Sequence, residues 1–322
     1  MRRASSLPTG RTGNGRPGQA GDRAVGRTAA TGRVAGQRPY DERMGGGDRP
    51  RDGLEITSPA NARIKQLVAL RHRRARDRAG VTLVEGYEEL DLALSAGVRP
   101  LTLYVCPGLA GDTAQPMIGR VAGLGAEVIR VSRPVFAKIA YRESPDGWLA
   151  VVPAVPAALS LLDPGPRPLV LVCEGVEKPG NLGAILRTAD AAGAAAVIAA
   201  DPGTDWGNPN VVRASKGTVF SVPVASATSA GVLAWIAGRP LALVAAAPDG
   251  DVLLTDADLS GPTAIVVGSE ARGLPAAWLD RADARVRIPM FGRADSLNVA
   301  TSAAILLYEA VRQRLTNPAP AP

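Results

Sequence analysis

The sequence predicts an α/β fold in two parts: a C-terminal domain built on a parallel sheet, and a smaller α/β domain ahead of it. Three observations predict this. Short unbroken apolar runs recur at 169–173, 195–199, 241–245 and 264–267, which is how strands read when both faces of a parallel sheet are covered. Helical segments at 182–192, 230–237 and 297–315 fall among and after them, as parallel strands need crossover connections that pack on the sheet. A proline-dense stretch at 153–168 precedes them. Prolines at that density suit neither a helix nor a sheet interior, so this stretch reads as a linker.

Ahead of the linker, order begins near Ile56. Thr57 and Ser58 are candidates to cap a helix with Pro59 in its first turn, and Ile64, Leu67 and Val68 recur at helical spacing. Arg63, Lys65, Arg71, Arg73, Arg74, Arg76 and Arg78 give that helix a dense basic surface, the kind that meets phosphates. Strands are expected at 81–85, 101–105, 127–131 and 148–152, with a helix over 87–96. The expected layout is a basic arm over 1–52, a small domain over 53–153, a linker over 154–168 and the larger domain over 169–317. The arm is Gly-, Arg- and Pro-rich with almost no large apolar residue. Such a segment cannot offset its ordering entropy and is expected to be disordered.

Composition narrows the function classes. Hydrophobic residues make up 46% of the chain but aromatics only 4%, so the core must be filled by Ala, Val, Leu and Ile. The formal net charge of +7 favours a polyanionic partner, nucleic acid first. The one histidine, His72, and the two cysteines, Cys106 and Cys173, offer no metal-ligand spacing. A zinc centre and a Ser/His/Asp triad are excluded by that inventory, and the cysteines read as buried thiols. No apolar run reaches the roughly 18 residues needed to span a bilayer, and no signal-peptide core is present, so a cytoplasmic protein is expected.

Three segments of the larger domain carry candidate chemistry. The first, Glu177-Lys-Pro-Gly-Asn-Leu-Gly-Ala-Ile-Leu-Arg-Thr-Ala189, follows a strand and opens a helix. A helix N-terminus offers free amides to an anion, although Asn181 also fits a plain cap and Arg187 a surface charge. In the second, Val266-Val-Gly-Ser-Glu-Ala-Arg-Gly-Leu274, a strand enters a turn where Gly268 permits close backbone approach. Glu270 then sits at the strand's carboxyl end, where α/β folds place ligands. The third runs from Ile288-Pro-Met290 through Ser296-Leu-Asn-Val299 into a long apolar helix. Its strand is expected to end at Met290, with Ser296 and Asn298 able either to cap the helix or to hydrogen-bond a ligand.

Taken together, in this order and each at a strand end, these segments resemble the SpoU/TrmH branch of the SPOUT RNA methyltransferases. The matching residues are Asn181-Leu-Gly-Ala-Ile-Leu-Arg187, Gly268-Ser-Glu270 with Gly273-Leu274, and Ile288-Pro-Met290 with Ser296-Leu-Asn-Val299. Ile56-Thr-Ser58 and Val84-Glu-Gly86 are similar, more loosely, to the substrate-binding domain often attached to this branch. The resemblance implies a C-terminal SPOUT domain whose chain closes in a trefoil knot, an arrangement almost absent elsewhere, and a homodimer formed through that region. It also implies S-adenosylmethionine as cofactor, held mostly by backbone groups at Gly268, Ile288 and Leu297. The implied reaction is methylation of a ribose 2'-hydroxyl in RNA, with ribosomal RNA favoured by the two-domain layout. The implied catalytic set is Arg187, Asn181, Glu270, Ser296 and Asn298. Arg187 meets the phosphate and the target hydroxyl. Asn181, Ser296 and Asn298 orient the ribose, Arg187 and the loop, and Glu270 fixes a loop or a partner arginine.

Two positions depart from the family pattern. Ala271 stands where glycine is frequent and is strained if its φ must be positive. Lys178 replaces a frequent acid. The competing readings are a tRNA ribose methyltransferase and a non-catalytic RNA-binding protein of the same fold. The second needs only a basic face, not the intact set of site residues.

Overall fold

The computed structural model describes residues 54–317; the predicted basic arm, 1–52, lies outside them. The N-terminal half runs β1 (Glu55–Ile56), α1 (Ala62–Ala69), α2 (Arg73–Ala79), β2 (Val81–Glu85), α3 (Tyr87–Ser95), β3 (Thr102–Val105), α4 (Pro107–Ala110), α5 (Ala114–Gly123), β4 (Glu127–Val131), α6 (Arg133–Ile139) and β5 (Trp148–Pro153). Its strands form one mixed sheet in the order β1-β4-β3-β5-β2, with β5 antiparallel to both neighbours. One face packs Ile64 and Leu67 of α1 and Val135, Phe136 and Ile139 of α6 against Leu83, Leu149 and Val151 of the sheet.

Three details differ from expectation. The first helix is capped by Asn61, not by Thr57 or Ser58: the Asn61 side chain accepts from the Arg63 N–H at 2.8 Å, while the Ser58 carbonyl accepts from the Asn61 N–H in the preceding turn. The basic stretch is two helices, the second ended by Gly80 in the left-handed region at φ 66°, a conformation that costs glycine nothing. Helix α5 has an apolar face at Ala114, Met117 and Val121, but Pro116, Gly119 and Gly123 dilute its sequence signal.

The C-terminal half runs β6 (Leu169–Glu174), α7 (Pro179–Ala191), β7 (Ala196–Ala200), α8 (Pro209–Ala214), β8 (Val224–Ala227), α9 (Ser229–Ala237), β9 (Ala242–Ala246), β10 (Val252–Leu253), β11 (Thr263–Val267), α10 (Ala276–Leu279), β12 (Ala284–Arg287) and α11 (Val299–Thr316). The four expected strands are present with bounds within a residue. With β8, β10 and β12 they make a seven-stranded sheet, order β10-β12-β9-β11-β6-β7-β8, in which every pairing is parallel. Strand β12 ends at Arg287, not at Met290. Ile288-Pro-Met290 lies outside the ladder, as Pro289 has no N–H to donate to it. Helix α7 starts at Pro179 with Lys178 as its N-cap, so Asn181 is the third helical residue and not the cap. The proline-dense stretch holds no strand and only a short 3-10 turn, Leu159–Leu161. It is fastened down nonetheless, for Ser226 N–H donates to the Ala157 carbonyl and Leu162 is buried.

All seven strands point the same way, so their carboxyl ends share one edge. The chain fills β6, β7 and β8 in one direction, then returns to place β9 on the far side of β6, with β11 later inserted between them. That reversal opens a crevice at the carboxyl edge, the usual ligand position in such sheets. Among the described residues no helix is long and apolar enough to cross a membrane.

Candidate active site

The crevice is a cavity of about 610 Å³, walled by the ends of β9 (Ala246, Ala247, Pro248) and β11 (Val267, Gly268) and by the segment from Val286 to Val299. Of the residues expected at a site, Gly268, Ile288, Leu297, Glu270, Ser296 and Asn298 all line it.

Gly268 serves its own loop before it serves any ligand. A Cβ there falls 2.2 Å from the Gly273 carbonyl carbon and 2.6 Å from the Leu274 nitrogen, so no side chain fits without opening the turn. That turn is closed by Gly273 N–H donating to the Ser269 carbonyl at 2.9 Å. The left-handed residue within it is Gly273, at φ 62°. Among the described residues the non-glycines at positive φ are Asp201 and Lys216. Ala271 is therefore unstrained, and the concern attached to it falls away.

Glu270 is the hub that joins the three segments. Its Oε1 accepts from Asn181 Nδ2 at 2.8 Å and from Asn298 Nδ2 at 2.7 Å, and its Oε2 accepts from Lys178 Nζ at 2.6 Å. Asn298 Nδ2 also lies 3.2 Å from Asn181 Oδ1. The Lys178 hydrogen bond, followed by those of Asn181 and Asn298, holds the Glu270 carboxyl below its ordinary pKa, and the same bond raises that of Lys178. Asn298 does two things at once: its Oδ1 caps α11 by accepting from Ala300 N–H at 3.0 Å while its amide donates to Glu270. Lys178, which in the sequence is only a departure from the family pattern, is thus a member of the network. Its partner is 92 positions away, so no local signal reveals the pairing.

Two expected residues stand apart from this hub. Ser296 lines the cavity but its hydroxyl turns to Asp295 Oδ1 at 3.2 Å. Arg187 is exposed, makes no hydrogen bond or ion pair to another described residue and does not line the cavity. Six residues of helix separate it from Asn181, which is about 9 Å of rise and about 120° of rotation away.

The expected basic face needs correcting too. Arg76 is 3% exposed and donates to the Leu70 and Arg71 carbonyls and to Asp205 Oδ2. Arg63 pairs with Glu127 at 2.6 Å, and Arg71 donates to the Lys138 and Ala140 carbonyls. These arginines hold the fold. Lys65 and Arg74 are exposed with no partner among the described residues.

The lining fits a particular ligand chemistry. Among the described residues no lysine or arginine lines the cavity, whereas Asp295 and Glu270, the latter paired with Lys178, do, alongside the apolar Val267, Val286, Ile288 and Leu297. A nucleoside phosphate finds no countercharge there. A cationic, partly apolar molecule does, and the volume is that of a small-molecule site, roughly 300–1,000 Å³. S-adenosylmethionine, with a sulfonium and an adenosine, has this character.

Comparison with known proteins agrees with that reading. The SpoU rRNA Methylase family matches residues 168–308, and the MRM3-like substrate binding domain matches residues 61–150. The 23S rRNA (uridine(2479)-2'-O)-methyltransferase of Streptomyces viridochromogenes is 36% identical over 280 residues, covering 84% of this chain and 96% of the relative. A crystal structure of an RNA 2'-O ribose methyltransferase superposes with a TM-score of 0.73 at 45% identity, over 81% of this chain and all of the other. The SpoU methyltransferase AviRb from Streptomyces viridochromogenes, solved in complex with the cofactor AdoMet, gives a TM-score of 0.73 at 34% identity, over 80% of this chain and 99% of that one.

Proposed function

The chain belongs to the SpoU rRNA methylase family, and from that premise we propose how its own residues carry the reaction. It is an RNA 2'-O-ribose methyltransferase that uses S-adenosylmethionine, and its substrate is ribosomal RNA. The observation that carries the assignment of the site is the cavity at the carboxyl edge, lined by no basic side chain among the described residues and tied through Glu270 to the first turn of α7 and the cap of α11.

When bound, S-adenosylmethionine supplies a methyl group already activated on a sulfonium. Bare backbone at Gly268 and the groups around Ile288 and Leu297 would hold it, and the Asp295 carboxylate, which also lines the cavity, would face its positive charge. Glu270 is a positioning residue that fixes Asn181 and Asn298 relative to each other. Arg187, whose side chain has no hydrogen-bond or ion-pair partner among the described residues, is left to grip the RNA phosphate and stabilise negative charge developing on the 2'-oxygen as its proton is lost. The chain's part in the remaining acceleration would be to hold the target hydroxyl against the bound cofactor. Ser296 orients the ribose from the loop. The trefoil knot comes with the family fold.

Residues 53–153 serve as the RNA substrate-binding domain, 154–168 as a linker and 169–317 as the catalytic domain. The protein works as a homodimer. Supporting this, Ile305, Tyr308 and Leu315 form an exposed apolar stripe on α11, and Phe291, 96% exposed, projects from the loop beside the cavity. A sedimentation profile of a monomer at micromolar concentration overturns the dimer. Acting on ribosomal RNA, the enzyme resides in the cytoplasm.

The assignment is tested by incubating the purified enzyme with methyl-labelled S-adenosylmethionine and total ribosomal RNA or tRNA, then digesting to nucleosides. Label on ribose in ribosomal RNA is expected. Label on a base refutes the reaction, and label confined to tRNA refutes the substrate.

A further inference from the structure

We propose that the N-terminal domain is a fixed platform on the catalytic domain and that Arg76 is the positioning residue that fixes it, so that a constant offset from platform to cavity selects the ribose to be methylated. The proposal rests on the reading that this domain holds RNA.

Arg76 belongs to the dense run of arginines before β2, yet its guanidinium is withdrawn from solvent. Nη1 donates to the Leu70 and Arg71 carbonyls at 3.2 and 3.0 Å, and Nη2 to Asp205 Oδ2 at 2.7 Å. Asp205 belongs to the other half of the chain, in the segment between β7 and α8. A charge this deeply buried is held only by its partners, so Arg76 cannot swing out to a phosphate. It joins the two sheets.

Other contacts fall on the same seam. The Thr82 hydroxyl donates to the Gly207 carbonyl. Lys216, in the left-handed region at φ 55°, reaches Glu88 Oε2 at 2.9 Å. Gly217, at φ 84°, approaches α3 so closely that a Cβ lies 3.0 Å from the Glu89 carbonyl oxygen. Beneath the polar contacts, Val84, Leu90 and Trp148 lie in one continuous buried cluster with Val211, Val212 and Val219.

The catalytic side of this seam, Asp205 to Val219, follows β7. It leaves the carboxyl end of β7 with Asp205 and Gly207, on the edge that holds the cavity, and runs back through α8 towards the start of β8. Helix α7 stands between seam and cavity: Gly183 packs on Ala214 of α8, where a Cβ falls 2.5 Å from the alanine Cβ, and Asn181 is bonded to Glu270 in the cavity wall. Platform, α8, α7 and cavity are joined by direct contacts, and Arg187 lies on α7. RNA gripped by the platform reaches the cavity at one displacement only.

The geometry supplies the test. A Cβ built on Gly207 lies 3.4 Å from Thr82 Cβ, just under the span of about 3.5–4.5 Å that a disulfide bridges, so a shift of a few tenths of an ångström admits the bond. Gly207 has no positive φ, and the native Cys106 and Cys173 are buried. The full-length Thr82→Cys/Gly207→Cys enzyme should therefore oxidise to a cross-linked form, seen by mass. That form should methylate the same ribose of folded ribosomal RNA at the rate of the reduced form. Loss of activity on oxidation that dithiothreitol restores means the domains must move, and overturns the platform.

Separately, Arg76→Met should raise KM for folded RNA by about tenfold and spread methylation to neighbouring riboses, with kcat changed by less than about twofold. Cross-linking that variant through the same cysteine pair should restore selectivity. Unchanged KM and site choice in Arg76→Met overturns the role of Arg76. A parent enzyme that methylates no RNA refutes the functional reading instead. The platform is then judged by small-angle scattering, where an unchanged profile on oxidation supports it and a changed one overturns it.

Discussion

Arg187 and Glu270 show how differently two charged residues of the proposed site can be placed. Glu270 is saturated, with both oxygens committed to Lys178, Asn181 and Asn298. Arg187 is exposed and uncommitted. A saturated carboxylate positions; a free guanidinium waits for a ligand. Arg187→Ala should therefore cut single-turnover methyl transfer by about 100-fold or more, the loss typical of one donor to a developing oxyanion. Cofactor affinity and thermal stability should stay at parental values, because the Arg187 side chain does not line the cavity and makes no hydrogen bond or ion pair to another described residue. Rapid-quench transfer with calorimetric cofactor titration checks this; near-parental transfer removes Arg187 from the mechanism. At this scale the sequence revealed residue identities but not their partners. Arg76 and Arg74 are indistinguishable in a basic run, and only Asp205, 129 positions away, makes one of them internal.

At the scale of elements, the parallel strands were legible because burial on both faces leaves an unbroken apolar run, as in β6 and β11. Strand β12, Ala-Arg-Val-Arg, was not, since only Val286 is buried and the sequence offers no run to read. The start of α7 was misread for a related reason. Asn181 is a good cap by type, but Pro179 takes the first helical position and frees Asn181 to face Glu270. The junction of α7, the β11 loop and α11 then depends on one ionised carboxylate, which sets its pH dependence. The Glu270 pKa is lowered from its ordinary 4.5, so its contribution is complete above that value and disappears as pH falls through the lowered one. That of Lys178 is raised from 10.5, so its contribution is complete below that value and is lost only above it. The difference in thermal stability between the parent and Glu270→Gln should be flat between pH 6 and 9 and shrink below about pH 4.5. A difference that grows toward acid contradicts the network.

For the whole molecule, the net charge of +7 pointed to a polyanion, and the family bears that out. Charge alone does not say which cations meet RNA, because folding consumes many of them. Of the basic run before β2, Arg63, Arg71 and Arg76 hold the structure, and Arg73 lies 3.5 Å from Asp77. Lys65 and Arg74 remain exposed, without a partner among the described residues. If the N-terminal domain grips RNA through this face, they release counterions on binding and the buried Arg76 does not. Each phosphate contact adds about 0.7–0.9 to the slope of log affinity against log salt. Lys65→Gln with Arg74→Gln should therefore flatten that slope by about 1.5 and weaken binding most at low salt. Unfolding should be nearly unaffected, since exposed positions without partners usually shift stability by less than about 0.5 kcal/mol. Filter binding of ribosomal RNA fragments across a salt series gives the slopes. An unchanged slope in the double variant assigns the RNA grip to another face of the domain and leaves this one as an ordinary solvated surface.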